Sequence, residues 1–231
     1  MNKEAMYKLS YGLFVLTAKE GKKDNGCIIN TAIQAASAPN QLSICINKAN
    51  ATHDMIVNTG KFTVSVLSQA ADFELFKRFG FQSGRDVDKF AECHLTRETA
   101  EHVSAPMIAE SPVNIECVVE QVIPLGSHDM FLAKVVAVNV DEQYMDEKGK
   151  FQLAKANPIV YSHGEYYDLG DFIGTFGYSV RKPKKVDVTK SEKNSQKTMD
   201  RNLSKQSGEK AASRTAKKKK TSGKTRNKKK K

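Results

Sequence analysis

The sequence predicts a mainly β domain, an antiparallel barrel with short flanking helices. Apolar, β-rich runs recur at intervals of about 8–12 residues, without the regular strand–helix alternation that is typical of a doubly wound sheet. Turn residues separate these runs, among them the Asn25-Gly26 pair and Gly126–Asp129. Val113–Ile123 alternates apolar and polar side chains, which is typical of a strand with one buried face.

The predicted strands are short and are joined by polar turns. They span Leu13–Ala18, Cys27–Ala32, Leu42–Asn47, Phe62–Ser68, Val113–Ile123 and Phe131–Val140. We expect Gly21–Gly26 to form the hairpin turn between the first two strands, with Asn25-Gly26 as its turn pair. A loop of small residues around Pro39 should precede the third strand. In the fifth strand the polar face carries Asn114, Glu116 and Glu120.

Three short helices are predicted beside the strands. Asn2–Lys8 has room for one or two turns, and Asp72–Phe79 places Phe73, Phe76 and Phe79 near one face. Thr52–Thr59 has the signals of a helix, with Thr52 as the N-cap and Gly60 as the end.

Charge divides the chain into two regions. Arg181–Lys231 contains 21 Lys and Arg against 4 Asp and Glu, a net charge of +17, whereas residues 1–180 contain 16 against 22, a net charge of −6. The basic region has too few large apolar residues to offset the entropy of ordering, so we expect residues 182–231 to be a disordered Lys-rich tail and residues 1–181 to be the folded domain.

Several protein classes are excluded by what the sequence lacks. No apolar run approaches the length of a membrane span, and the first residues lack the apolar stretch of a signal peptide, which predicts a cytoplasmic protein. The four cysteines have no CxxC spacing and are expected to be reduced thiols. The five histidines have no metal-ligand spacing, so no metal site is expected. A dinucleotide-binding glycine motif, a Walker A loop and GxSxG are all missing.

The segment Gly26–Gly60 carries most of the chemistry. It has the order strand, small-residue loop, strand, polar turn and helix start. A helix N-terminus with Lys48 beside it suits a phosphate group. The alternative from residue types alone is that Thr52 merely caps the helix and the asparagines belong to an ordinary turn.

The order of motifs resembles the flavin reductase-like family, whose fold is the FMN-binding split barrel. The matching motifs are N-T-x-x-Q-x-x-S-x-P from Asn30, N-K-x-N-x-T-H-D from Asn47, G-K-F-x-V-S-V-L from Gly60, G-S-H-D-M-F from Gly126 and P-I-V-Y-x-x-G-E-Y-Y-x-L-G from Pro158. The resemblance covers about residues 3–180 and implies a six-stranded antiparallel split barrel. It is greatest to the branch with flavoredoxins, ferric reductases and the flavin domain fused to rubredoxin.

The resemblance implies a set of cofactor and substrate residues. The FMN-binding residues would be Asn30, Thr31, Gln34, Ala35, Ala36, Ser37, Asn47, Lys48, Asn50, Thr52 and His53. His128 would face the flavin and contact the nicotinamide, although Ser127 stands where typical members have aspartate. On residue type alone, His128 is a solvated turn residue. No side chain is needed as a catalytic acid or base.

The function implied by the resemblance is that of a homodimeric, FMN-binding oxidoreductase. It would take a hydride from NAD(P)H and pass electrons to free flavin, ferric iron or a small redox protein. One alternative is an electron-transfer flavoprotein without fast NAD(P)H oxidation, and another is a nucleic-acid-associated protein that acts through weak, nonspecific binding by its basic tail. The roles of Arg78, as a surface residue or a phosphate ligand, and of Cys45 stay open at this point.

Overall fold

The structure is a computed structural model that describes residues 2–177, and the chain through Asp171 forms one compact unit. The predicted tail, residues 182–231, lies outside the described residues. Among the described residues the strands are β1 (Tyr11–Gly12), β2 (Phe14–Glu20), β3 (Lys23–Ile29), β4 (Ile33–Ser37), β5 (Asn40–Asn47), β6 (Lys61–Val66), β7 (Arg97–Glu98), β8 (Met107–Ile108), β9 (Val113–Leu125), β10 (His128–Val140), β11 (Val160–Ser162) and β12 (Glu165–Tyr167).

The helices are short and lie between these strands. They are α1 (Lys3–Met6), α2 (Ala51–Thr59), α3 (Phe73–Phe81), α4 (Lys89–Glu92) and α5 (Leu153–Ala156), with a 3₁₀ helix over Glu142–Tyr144. The mainly β, antiparallel fold predicted from the sequence is therefore confirmed.

One large antiparallel sheet dominates the described part of the chain. Its strands follow the order β3-β2-β6-β9-β10-β5-β4, while β1-β11-β12 and β7-β8 form two small sheets. The large sheet has seven strands where we expected six. The added strand is β4, which occupies the segment predicted as a loop of small residues and pairs with β5 from Ile33 to Ser37.

The large sheet wraps around a single core, because strands from distant positions in its order share the same buried cluster. Leu16 of β2, Ile29 of β3, Ile44 of β5, Phe62 of β6 and Phe131 of β10 all belong to that cluster.

The chain after β3 also reaches across to β5. The hydroxyl of Thr31 donates to the carbonyl of Cys45 at 2.8 Å and accepts from its N–H at 3.1 Å. These two bonds join β5 to the end of β3, although four strands separate β3 from β5 in the sheet order.

The predicted turn of the first hairpin was wrong in position. The turn is Gly21-Lys22, and Asn25 and Gly26 lie inside β3 opposite Ala18 and Thr17. Gly21 has a φ of +59°, a conformation that glycine adopts without strain. Gly26 is required for packing, because a Cβ there would lie 2.8 Å from the ring of Phe79.

Two residues of the predicted polar face of β9, Asn114 and Glu116, are buried, which contradicts the half-buried pattern in the first half of the strand, whereas Glu120 is exposed as predicted. Glu116 is fully buried, and its carboxylate accepts from the main-chain N–H groups of Glu101, His102 and Val103 and from Asn139 Nδ2 at 2.9 Å. Asn114 is buried in the same way and exchanges two hydrogen bonds with the main chain of Ile108. The segment 101–108 therefore covers this face of β9.

Helix α3 packs one side of the barrel. Asp72 is its N-cap, and Phe76 and Phe79 are buried, whereas Phe73 is exposed. Arg78 pairs with Glu74 at 2.6 Å and with Glu92 at 2.7 Å. This links α3 to α4 and assigns Arg78 to the helix surface rather than to a ligand site.

No helix within residues 2–177 has the length and apolar character needed to cross a membrane.

The four donors around Glu116 predict a large cost for its neutralisation. Burial raises the pKa of Glu116, but donation from His102, Asn139, Glu101 and Val103 together outweighs burial, so the pKa lies below its usual value. A lowered folded-state pKa contributes stability above the ordinary carboxyl range, and that contribution is lost as pH falls through the folded value. We expect Glu116→Gln to lower the free energy of unfolding by about 1.5–3 kcal/mol at pH 7.

Urea denaturation at several pH values measures this effect. The difference between Glu116→Gln and the unmodified protein should shrink below about pH 4, where carboxyl groups become protonated. Glu120→Gln on the same strand is the matched control, because Glu120 is exposed and, within residues 2–177, accepts a side-chain hydrogen bond from Gln41 alone. Equal stability of the two variants at pH 7 would contradict the prediction.

Candidate functional site

Three predicted site residues meet at one end of the β5–β10 ladder. The last residue of β5, Asn47, pairs directly with His128, the first residue of β10. The N–H of Lys48 donates to the carbonyl of Ser127 at 3.1 Å, so the turn after β5 is fixed to the turn between β9 and β10. Asn47, Lys48 and His128 therefore share one corner of the barrel.

The turn from Asn47 to Asn50 leads directly into α2. Asn50 is the N-cap and its side chain accepts from the N–H of Thr52 at 3.0 Å. The predicted cap, Thr52, was wrong by two positions, because Asn50 already has the extended backbone of a cap residue. Gly60 ends the helix, as predicted, and has the left-handed conformation.

Most main-chain N–H groups of this turn already donate hydrogen bonds within the protein. The N–H of Ala49 donates to the side chain of Asn47, that of Asn50 to the carbonyl of Asn47, and that of His53 to the carbonyl of Asn50. Within 48–53, the N–H of Ala51 is the one main-chain donor without a partner among the described residues. An anion at this corner would therefore be held mostly by side chains and by the positive end of α2.

Thr52 and His53 turn their side chains into the protein. The hydroxyl of Thr52 is fully buried and accepts from Asn25 Nδ2 at 3.2 Å. The ring of His53 is almost fully buried, with Nε2 2.8 Å from Asp129 Oδ2, and it packs edge-on against Phe131. The side chains of these two predicted ligand residues thus make hydrogen bonds within the protein.

Asp129 is the electrostatic centre of this corner. One oxygen contacts His53, and the other lies 3.1 Å from Lys48 Nζ. The hydrogen bond from His53 and the contacts with Lys48 outweigh burial and hold the pKa of Asp129 below its usual range. Asp129 is therefore an anion that ties the turn and the first turn of α2 to β10.

The ring of His128 has a hydrogen-bond partner in Ser127. The hydroxyl of Ser127 lies 2.9 Å from Nδ1 of the ring. Ser127 therefore supplies a neutral hydrogen-bond partner to this nitrogen, and the ring itself is half-buried.

Asn30 lines a second part of the candidate site, a cavity of about 480 Å³. Its walls are mainly apolar and come from the segment Ser10–Phe14, from Ala32 and Ile33, and from Pro158–Val160. Thr31, next to Asn30, is occupied by the hydrogen bonds to Cys45. Burial raises the pKa of the Cys45 thiol, which favours its protonated form.

The other predicted ring contacts lie away from the Lys48 corner. Gln34 is exposed and donates to Asn40, and Ala36 and Ser37 pair with Gln41 and Asn40 at the start of β5. At about 3.3 Å per residue, six or seven positions of β5 separate these pairs from Asn47 by about 20 Å. Ala35, Ala36 and Ser37 are therefore not brought together with Lys48 within one chain.

The sequence analysis did not select two cationic residues, Arg85 at the start of α2 and Lys89 against β3. Arg85 Nη2 lies 2.7 Å from Asp54 Oδ2, and Nη1 donates to the carbonyl of Ala49 at 3.4 Å. The ammonium of Lys89 is buried and donates to the carbonyl of Gly26 at 2.9 Å. The only sequence signal was the Ser83-Gly84-Arg85 turn, and nothing in it indicates contact with a helix 31 residues earlier.

Gly84 explains how this loop approaches the site. A Cβ at Gly84 would lie 1.7 Å from Asn25 Oδ1, the side chain that also bonds Thr52. The main chain of this loop thus packs directly against Asn25, whose side chain bonds Thr52 of α2.

Comparison with known proteins agrees with the motifs. Residues 6–170 match the sequence model of the family described as Flavin reductase like domain. The high molecular weight rubredoxin of Moorella thermoacetica is 35% identical over 136 residues, which cover 58% of this chain and 58% of that protein. This chain thus spans less than two thirds of that relative.

Two further similarities cover more of the compared proteins. The ferric-chelate reductase (NAD(P)H) of Archaeoglobus fulgidus is 34% identical over 142 residues, covering 61% of this chain and 82% of that protein. The structure of flavoredoxin of Desulfovibrio vulgaris (Miyazaki F) is 28% identical, with a TM-score of 0.69 over 74% of this chain and 93% of that chain.

Proposed function

This chain belongs to the flavin reductase like domain family, and we propose that it is an FMN-binding oxidoreductase that takes a hydride from NAD(P)H. The observation that carries the proposal is the corner where Asn47, Lys48, the start of α2 and His128 meet. Free flavin, ferric iron and a small redox protein are the electron acceptors that we consider. Ferric chelates are favoured by the name of the Archaeoglobus relative.

The charges around the start of α2 fit a phosphate group. Lys48 and Arg85 are partly exposed cations beside this helix end. Lys89 is buried against β3, at the carbonyl of Gly26, and has no carboxylate partner in the part of the chain that the structure describes. A buried cation without a counter-ion is costly, and a nearby anionic ligand would reduce that cost.

We propose that the phosphate end of FMN is held by Lys48, Asn50 and Arg85, with the N–H of Ala51. Thr52 and His53 would support this site from inside through Asn25 and Asp129. Asn30 and Thr31 would border the ring at the apolar cavity, which suits a planar aromatic group. The bound flavin would supply the two-electron chemistry, and the protein's part is to bind, orient and control access.

His128 is the residue that we propose to contact the nicotinamide. Its Nδ1 is oriented by the Ser127 hydroxyl, which leaves Nε2 to face a ligand. No side chain is required to transfer a proton at the flavin, so none is assigned as a catalytic acid or base.

We also propose a homodimer in which Gln34, Ala35, Ala36 and Ser37 border the flavin bound to the partner subunit. Large apolar side chains lie exposed on β4 and on the β9–β10 hairpin, namely Ile33, Val122 and Leu125. A partner subunit would cover such exposed apolar side chains. A dimer would bring β4 to a second copy of the Lys48 corner, which one chain does not do.

We propose that residues 1–181 form the flavin domain and that residues 182–231 form a basic tail. We place the protein in the cytoplasm, because its four cysteines are all free thiols.

The first prediction of the proposed function concerns the flavin itself. Protein incubated with FMN and freed of excess ligand should keep the absorption bands of bound flavin. Mixing with NADH or NADPH without oxygen should bleach those bands within seconds. Retained flavin that bleaches only over many minutes would favour the electron-transfer flavoprotein, and no retained flavin would refute both.

The second prediction concerns His128. Because we place this ring on the nicotinamide and not on the flavin phosphate, His128→Ala should slow anaerobic flavin reduction by about tenfold or more, equivalent to about 1.4 kcal/mol in the barrier. Its affinity for FMN should stay nearly unchanged. Stopped-flow absorbance and fluorescence titration measure the two quantities, with His102→Ala, an exposed histidine of another loop, as the control. An unaltered reduction rate would show that His128 is an ordinary turn residue and does not contact the nicotinamide.

The third prediction concerns the basic tail. Arg181–Lys231 carries a net charge of +17, and polyanions release counterions when they bind such a segment. The full chain should therefore bind DNA or RNA weakly, without sequence preference and with a steep loss on added salt. A chain ending at Arg181 should lose this binding and keep FMN and reductase activity. Loss of FMN binding in the truncated chain would show that the flavin domain extends beyond Arg181.

A further inference from the structure

Asp129 connects three elements through one carboxylate. Oδ2 lies 2.8 Å from the ring nitrogen of His53 on α2, while Oδ1 lies 3.1 Å from the ammonium of Lys48 in the turn after β5. The contact with Lys48 is an ion pair without hydrogen-bond geometry, and Oδ1 has no other partner within the described residues. Both partners of this carboxylate lie on the segment 48–53, which leads into the proposed phosphate site.

The two ends of the ion pair differ in exposure. The side chain of Asp129 is 12% exposed and that of Lys48 is 42% exposed. Lys48 therefore contacts the carboxylate while part of its side chain stays open to solvent. Because the Lys48 N–H is also bonded to the carbonyl of Ser127, both the main chain and the side chain of this residue are fixed.

An unrestrained lysine on a surface turn samples many rotamers, and part of this freedom is lost when it binds a ligand. Asp129 removes part of that freedom before any ligand arrives. The other charged groups near His53 are Asp54, 3.2 Å from its Nδ1, and Arg85, which pairs with Asp54. Asp54 and Arg85 form an ion pair with each other, whereas the carboxylate of Asp129 pairs with Lys48.

We propose that Asp129 is a positioning residue for the anion end of the flavin site, and that it acts by holding the Lys48 ammonium at the start of α2. This rests on the proposed function, because the anion is taken to be the phosphate of FMN. Asp129 does not touch the ligand, and its own charge opposes an anion. Its effect must therefore depend on Lys48.

The test compares FMN with riboflavin, which lacks the phosphate. Fluorescence titrations of the full chain give Kd values for both ligands in the unmodified protein, Asp129→Asn, Lys48→Met and the double variant. Asp129→Asn should weaken FMN about fivefold and leave riboflavin within about twofold, a difference of about 1 kcal/mol in FMN binding. In the Lys48→Met background the same change should cause no further loss, because only the repulsion between Asp129 and the phosphate remains.

Asp141→Asn is the matched control, since it removes a carboxylate that caps the 3₁₀ helix and does not contact Lys48. If Asp129→Asn fails to fold, Asp129→Glu replaces it. The longer side chain moves the carboxylate from its place between Lys48 and His53, so the preference for FMN should fall about twofold.

A second readout keeps the inference separate from the proposed function. Inorganic phosphate should raise the melting temperature of the flavin-free protein, and Asp129→Asn should lose this protection. A protein that binds no flavin but shows this pattern would refute the flavin assignment and leave the role of Asp129 intact. Equal losses for FMN and riboflavin, an unchanged or tighter Kd for FMN, or a full effect of Asp129→Asn without Lys48 would each overturn the inference.

Discussion

The two hydrogen bonds between Thr31 and the main chain of Cys45 are the contact on which the site depends. They fix the chain that leaves β3 to a strand that lies five places along the sheet order. With this connection, one core is shared by both halves of the sheet. Asn30 lies beside the apolar cavity and the chain then returns as β4, so the position of this segment follows from barrel closure.

Two buried carboxylates show different solutions to one electrostatic problem. Glu116 is surrounded by four neutral N–H donors, which stabilise its charge without any cation. Asp129 instead contacts one histidine and one half-exposed lysine. The first arrangement is closed and fastens a loop to β9. The second has a partly exposed cation and lies at the proposed phosphate site.

Local patterns predicted the strands well and failed where a distant contact decided the outcome. The alternation in Val113–Ile123 identified a strand, but it could not show that segment 101–108 covers the polar face, since Glu116 finds its donors there. Asn25-Gly26 has the composition of a turn. It lies inside β3 because Asn25 bonds Thr52 and Gly26 makes room for Phe79. Small residues at Ala35–Ser37 indicated a loop, yet pairing with β5 makes them an edge strand. The motif resemblance identified the Lys48 corner, whereas Asp129 and Arg85 became visible only through their contacts.

The position of β6 has a consequence for the order of folding. The hairpins β2–β3, β4–β5 and β9–β10 join strands that are adjacent along the chain, so they form by closing short loops. β6 lies between β2 and β9 in the sheet, and Lys61 pairs with Val118 across a long intervening segment. Such non-local pairing is slow. The Lys48 corner depends on a second pairing of this kind, because Asn47 at the end of β5 pairs with His128 at the start of β10, 81 positions later in the chain. We therefore expect this corner to form after the hairpins, so a chain halted early would contain hairpins without the corner.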